Sequence, residues 1–171
     1  MQPHPDLPGV SVIVTRRGVK ALISTEDAAE AGRFNWTEIP RLHTTYVGRQ
    51  VRRENGKACT EFLHRFIGRL MGFPAGDLTD HRDGNGLDCR RTNLRPATDG
   101  QNAMNSRLRR DNTSGLKGVH WDKREGRWRA YIGADGRQHN LGYFDSFDAA
   151  GSAVSAARKE LHGEYANEGG R

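Results

Sequence analysis

The sequence predicts an α+β fold divided between two units. Three observations carry this reading. Short strand-like runs are mixed with short helical patterns up to the "NLRPAT" segment at 93–98. Three strand-like pieces then follow one another in "GVHWDKREGRWRAYIGADGRQHNLGYF", separated by Glu125-Gly126 and Asp135-Gly136 turns. A single longer helical pattern closes the series, from about Phe147 to Leu161, with Ser146 as its cap. The second unit is thus expected to be a three-stranded antiparallel sheet packed on one helix.

Composition bounds the possibilities. The chain has 171 residues, 35% hydrophobic and 28% charged, enough for one or two small domains. Its 27 Lys and Arg against 21 Asp and Glu leave a formal charge of +6, which favours a polyanionic partner. The excess is uneven: the stretch from Arg90 to Arg129 is the most basic, and no Lys or Arg precedes Arg16. Cys59 and Cys89 form no CxxC pair, which argues against a zinc ribbon or a disulfide framework and fits reduced thiols in the cytoplasm. No apolar run approaches membrane-spanning length, so no membrane partner is expected. "MQPHPDLPGV" lacks the basic start and apolar core of a secretion signal.

The first elements follow from local pattern. Three prolines make residues 1–9 a loose lead-in, and "VSVIVTRRGVKALIS" reads as two strands around Arg17-Gly18. Ser24 and Asp27 resemble a capping box for a short helix ending at Gly32. Asn55-Gly56 between strand-like runs is a hairpin signal. Phe62, Leu63, Phe66, Ile67 and Leu70 then recur at helical spacing, which leaves His64 and Arg65 on the more polar side. A second extended piece carries "NLRPAT", and a short helix over 99–105 is capped by Thr98 or Asp99. "RRDNTSG", 109–115, has no apolar periodicity and reads as a linker. In "RWRAYI", alternation sets Trp128, Ala130 and Ile132 toward the helix and Arg127, Arg129 and Tyr131 outward. Ala150, Val154, Ala157 and Leu161 line the helix side that should meet the sheet, and Trp121 and Trp128 are expected in the core.

"DHRDGNGLDCRRTNLRPATDGQNAMN", from Asp80 to Asn105, concentrates the residues able to do chemistry. Asp80 offers hard oxygen donors to a magnesium-like cation. His81 is the side chain type that exchanges protons near neutrality. Asn93 and Asn102 can bind a metal or hold an imidazole N–H without adding charge, which suits an anionic substrate. A turn-rich surface loop has the same composition, so the residue types by themselves leave both readings open.

The order of these residues resembles the HNH endonuclease family in its HNN version. The matching pieces are "DH" at 80–81, "DGNG" at 83–86, "DCRRTNLR" at 88–95 and "QNAMN" at 101–105, with "LHR" at 63–65 upstream. The resemblance covers about residues 44–110. It implies a small ββα-metal nuclease core, with residues 1–43 as added strands and a short helix of the same unit. It implies Asp80 and Asn102 as ligands of one divalent cation, magnesium by default and manganese as the second choice. His81 would be the general base and Asn93 would hold its ring. His64 and Arg65 would support the site or touch the DNA backbone, and Arg90 or Arg95 could add positive potential, although Arg95 serves equally as structure. Cys89 departs from the pattern, standing where the family has asparagine; a buried thiol fills similar space with weaker hydrogen bonds.

Beyond a linker at 111–114, residues 115–171 form the second domain. "SGLKGVHWDKREGRWRAYI", "LGYFDSFDAA" and "AARKELHGEYAN" resemble the plant APETALA/ethylene-response DNA-binding domain over 115–167. Val154 stands where that family has an aromatic ring. The resemblance implies a sheet that enters the major groove of double-stranded DNA. Arg127, Arg129, Tyr131, Gln138 and Asn140 would face the DNA, with His120 and Lys123 at the first strand and its turn. Arginine can read guanine edges, and Gln and Asn can read adenine; Lys123 and Arg124 would meet phosphate.

Together these signals lead us to expect a metal-dependent DNA endonuclease of phage or homing type. A DNA-binding regulator with an inactive nuclease unit is the alternative, supported by Cys89. An RNA-binding structural protein is a third class, disfavoured because the A-form major groove is too deep and narrow for a sheet. One site cuts one strand, so a double-strand break needs a second subunit or a second event; the sequence does not fix the oligomeric state.

Overall fold

The computed structural model describes residues 1–108 and 111–167 and shows an α+β fold of several small sheets with few helices. The chain divides into two compact units, Met1–Ala97 and Thr98–Arg171. The linker read from sequence at 109–115 lies beyond this division, and its first two residues are outside the described ones.

In the first unit, β1 (Gln2–Pro3), β2 (Val10–Val14) and β3 (Lys20–Ser24) pair antiparallel in that order. A 3-10 turn over Thr25–Asp27 leads into α1 (Ala28–Ala31). Ser24 does not cap this helix as the sequence suggested. Its hydroxyl instead accepts the backbone N–H of Arg91, whose guanidinium pairs with the buried Asp27. A contact 67 residues away has thus outbid the local cap.

β4 (Thr37–Pro40), β5 (Thr45–Arg52) and β6 (Ala58–Phe62) form an antiparallel sheet, and the β5–β6 hairpin turns at Gly56 with φ +75°. Helix α2 (Leu63–Leu70) begins directly at the end of β6. It packs against β5 and against β7 (Leu78–His81), β8 (Asp88–Cys89) and β9 (Leu94–Ala97). β7 and β9 pair antiparallel, with Asp80 opposite Arg95 and His81 opposite Leu94. β8 leaves that pair and joins β3 in parallel, Ile23 opposite Cys89. This parallel link, with the β4–β5 pairing, joins residues 1–43 to the rest of the unit. Ile13, Ala21, Ile23, Ala31 and Trp36 share a core with Val47, Leu63, Phe66, Ile67, Cys89 and Leu94. Burial of each large apolar side chain there contributes about 1.5–3 kcal/mol.

In the second unit, α3 (Asp99–Met104) starts with a complete capping box between Thr98 and Gln101. Its far end is held by residues of the same unit. The Lys117 ammonium donates to the carbonyls of Met104 at 2.8 Å and Ser106 at 2.9 Å, and the Asn167 amide donates to Asn105 O at 2.9 Å. β10 (Val119–Asp122), β11 (Arg127–Ala134) and β12 (Arg137–Phe144) make a three-stranded antiparallel sheet. Asp135 and Gly136, both at positive φ, close the β11–β12 hairpin as a primed turn. Helix α4 (Phe147–His162) has Ser146 as its cap, accepting from Ala149 N at 3.0 Å, and packs on β11. Gly118 permits the close approach here: a Cβ would sit 2.4 Å from Tyr131 O.

The helix face differs from the one read in the sequence. Ala150, Val154, Arg158 and His162 are buried, a strict four-residue spacing, while Leu161 is exposed. Arg158 extends to the Lys117 carbonyl at 2.8 Å and His162 Nε2 lies 2.8 Å from Gly133 O, so two polar side chains occupy the face where sequence favoured Leu161. Trp128 packs on Phe147, as a core residue should. Trp121 does not join it: it sits on the outer strand, edge-on to Trp128, and is 46% exposed.

Candidate active site and nucleic-acid face

The Asp80–His81 pair enters its site on β7, and alternation along the strand sends the two side chains to opposite faces. Asp80 meets its cross-strand neighbour. Arg95 donates from Nε and Nη2 to the same carboxylate oxygen, Oδ2, at 2.8 Å each, and both side chains are buried. Arg95 is thereby structural, one of the two roles the sequence left open. Arg90 pairs with Asp88, its Nε 2.8 Å from Oδ1.

His81 turns into a pocket of aromatic rings and a thiol. Its ring centroid is 4.8 Å from that of His64 and 5.8 Å from that of Tyr46, and its Nε2 lies 3.7 Å from Cys89 Sγ. Burial pushes the His81 pKa below the usual histidine value, against the opposing pull of Asp83, Asp80 and Asp88. Burial thus favours the neutral imidazole, the form a proton acceptor requires.

His64 corrects the sequence reading. It lies on the buried side of α2, stacked on Phe62, rather than on a polar side with the exposed Arg65. Burial, then the neighbouring His81 and Arg65, drives its pKa well below the usual value. Its Nδ1 is buried without a hydrogen-bond partner. Helical periodicity weighs histidine as polar, so it could not place this ring in the core. The signal that could have done so is the aromatic company, Tyr46 and Phe62, in the strands on either side of the hairpin.

The loop leaving His81 is tied from within. Asn93 donates to Asp83 Oδ1 and to Asp88 O, both at 2.8 Å, and its Oδ1 accepts from Asp83 N at 3.2 Å. Asp83 also receives Asn85 N at 2.8 Å, which makes it a loop hub that sequence reasoning passed over. Gly86 N bonds Thr44 Oγ1 at 2.9 Å, and a Cβ at Gly86 would collide with Thr45 O and the Tyr46 ring. The "DGNG" turn is thus fastened to β5 as well as to itself.

Asn102 lies on the exposed side of α3, in the second unit. Among the described residues no cluster of three or more His, Cys, Asp or Glu is arranged to hold a metal ion. What the first unit offers a cation is the Asp80 carboxylate, a hard oxygen donor suited to magnesium or manganese, with its charge balanced by Arg95.

The second unit gathers most of the other candidates on one surface. Register places His120 opposite Arg129, Tyr131 opposite Asn140 and Gly133 opposite Gln138, so His120, Arg127, Arg129, Tyr131, Gln138 and Asn140 share the sheet face away from α4. A bulge at Ala130/Tyr131 lets Asn140 reach this face despite the shifted count on β12. Lys123 and Arg124 are exposed in the β10–β11 turn, which Asp122 shapes by accepting from Arg124 N at 2.9 Å. Arg127 is drawn to the rim by Asp145, 2.7 Å from its Nε. Among the described residues no helix is long and apolar enough to cross a membrane.

No protein-family model matches the chain, and no solved structure does. A curated relative does: Protein 3.8 of Escherichia phage T7 is 40% identical over 93 residues, which is 54% of this chain and 76% of the phage protein. At that identity over most of the relative's length, the chain belongs to the family of Protein 3.8 of Escherichia phage T7.

Proposed function

We propose that this protein is a metal-dependent DNA endonuclease of phage type, built from a ββα-metal nuclease core and a C-terminal sheet that binds duplex DNA. The observation that carries the reading is the state of His81. It is a buried imidazole whose burial favours the neutral form, on a strand shared with a carboxylate, beside a loop fixed by Asn93. In the proposed reaction His81 takes a proton from the water that attacks the scissile phosphorus. The bond from phosphorus to the 3′ oxygen breaks, giving 5′-phosphate and 3′-hydroxyl ends. A divalent ion held by Asp80 would supply charge to stabilise the pentavalent transition state. Asn93 keeps the loop after His81 in place, and Arg95 keeps Asp80 from drawing a cation in the absence of substrate phosphate. Sequence choice rests on the sheet: Arg129, Gln138 and Asn140 read base edges, while Lys123 and Arg124 hold the backbone.

A regulator that binds DNA without cutting it is the second reading, and one observation favours it: the Asp80 carboxylate already has a buried guanidinium as its partner. Incubation with supercoiled plasmid or phage-genome DNA at constant low salt, with magnesium, manganese or EDTA, separates the two. Metal-dependent nicks or breaks are expected. Band shifts without any cut in either metal would establish the regulator.

A further inference from the structure

The β5–β6 hairpin has two sides of different chemistry. In an antiparallel pair, directly opposed residues point to the same side. One side is turned inward. Val47 is fully buried there, and Arg49 lies over the Phe34 ring at 3.4 Å and pairs with Glu61, its opposite on β6. The other side begins at the candidate site. The Tyr46 ring stands there, 5.8 Å from that of His81 and 5.7 Å from that of Phe62. Outward along this side, register sets Gly48 opposite Phe62, Gln50 opposite Thr60 and Arg52 opposite Ala58. Gln50 donates to Thr60 Oγ1 at 3.1 Å, and no carboxylate stands on this side of either strand. Arg65, from α2, carries its guanidinium to 5.8 Å from the Phe62 ring, so a cation also marks the inner end. At the outer end Arg52, Arg53 and Lys57 are exposed, and none is in an ion pair among the described residues. Glu54 is the only acid between Arg52 and Ala58. The tip is held by its own bonds, Arg53 N to Lys57 O at 2.9 Å and Lys57 N to Asn55 Oδ1 at 3.1 Å. A polar track with cations at both ends complements the repeated charge of a phosphodiester chain.

We infer that the β5–β6 hairpin is a DNA-binding arm of the first unit, on which Arg52, Arg53 and Lys57 hold the phosphate backbone of the duplex that is cut at His81. Arg52 lies six residues along β5 from Tyr46. That is a rise of about 20 Å, and phosphates of one strand advance about 3.4 Å each, so the arm meets the DNA about six nucleotides from the scissile bond. The place of this contact relative to the cut rests on the proposed role of His81; the contact itself does not.

The test uses the full chain as wild type, as the triple variant Arg52→Ala/Arg53→Ala/Lys57→Ala and as the charge-keeping variant Arg52→Lys/Arg53→Lys. All the altered side chains are exposed, and thermal melting reports folding. Binding to a duplex of arbitrary sequence is followed across a salt series. The triple variant should lose at least about tenfold in affinity at low salt, and its salt slope should fall by up to about 2.7, which is 0.9 for each phosphate contact. The lysine variant should keep both within about twofold of wild type, because a phosphate contact needs the charge. On the duplex that the wild type cuts, phosphate ethylation about six nucleotides from the cut should interfere with binding of the wild type and not of the triple variant. A folded triple variant with unchanged affinity and slope would overturn the inference. So would equal losses in the lysine variant, which would make the arginines structural. If no protein cuts DNA while the slope falls as expected, the arm stands and the nuclease reading fails. If the wild type cuts and the slope is unchanged, the nuclease reading stands and the arm fails.

Discussion

Arg95 binds one oxygen of Asp80 with two of its nitrogens, across adjacent strands and out of contact with solvent. Charge burial of this kind is tolerable only as a pair. Arg95→Met would leave a carboxylate buried without its counter-charge and should cost about 3–5 kcal/mol. The double variant Asp80→Leu/Arg95→Met should be markedly more stable than the sum of the two single losses. Urea denaturation of the four proteins measures the coupling. Additive losses would mean that the pair does not carry the local fold.

The same pair sets the expected behaviour toward metal. With its charge balanced, Asp80 should hold manganese only weakly in the free protein. DNA phosphate adds negative charge and further oxygen ligands, so affinity should tighten at least about tenfold in the complex, and the DNA should gain equally from the metal. Titration of the His81→Ala protein, followed by manganese EPR with and without duplex, reads this directly. Asp80→Asn should remove the gain.

Acid sensitivity should come from the paired histidines. His64 is buried neutral, with a pKa well below the ordinary 6.5. Above pH 6.5 neither the folded nor the unfolded state protonates it, and stability is complete. As pH falls below 6.5 the unfolded chain takes up protons that the folded chain refuses, so stability drops, by up to about 1.4 kcal/mol per pH unit for each such histidine. Denaturation of wild type and His64→Gln between pH 5 and 7.5 should show a shallower slope in the variant, with His81 contributing the remainder in the same direction.

On the sheet, the two kinds of basic residue should separate. Arg129→Ala should cost about 1–3 kcal/mol of binding and relax the preference at one base position. Lys123→Ala should weaken binding to all sequences alike and lower the salt slope by about 0.9. Fluorescence anisotropy with cognate and scrambled duplexes across a salt series checks both. Equal, sequence-blind losses would make the sheet a non-specific clamp.

What the sequence revealed tracks the range of the forces involved. The C-terminal sheet and helix were legible because strand alternation, the Asp135-Gly136 turn and the Ser146 cap are local signals. The Asn55-Gly56 hairpin was legible for the same reason. Ser24 was misread because its true partner is the backbone of Arg91, 67 residues along the chain. His64 was misread, and Arg158 and His162 were passed over, because a polar side chain in a core is decided by what packs around it. The four-residue spacing from Ala150 and Val154 through Arg158 to His162 was present in the sequence, but Leu161 competed for the same stripe and was the more apolar choice. At the candidate site, the residues stood out by type and order, while the Asp80–Arg95 pair and the Cys89–His81 contact required the pairing of β7 with β9 and of β8 with β3.

The most direct test of the nuclease reading compares cleavage and binding in wild type and His81→Ala on the same duplex, at fixed low salt with magnesium or manganese. The account predicts that the variant binds DNA within about twofold of wild type and loses at least about a hundredfold in cleavage rate, the scale of a general base. Undiminished cutting by a folded His81→Ala protein would contradict it.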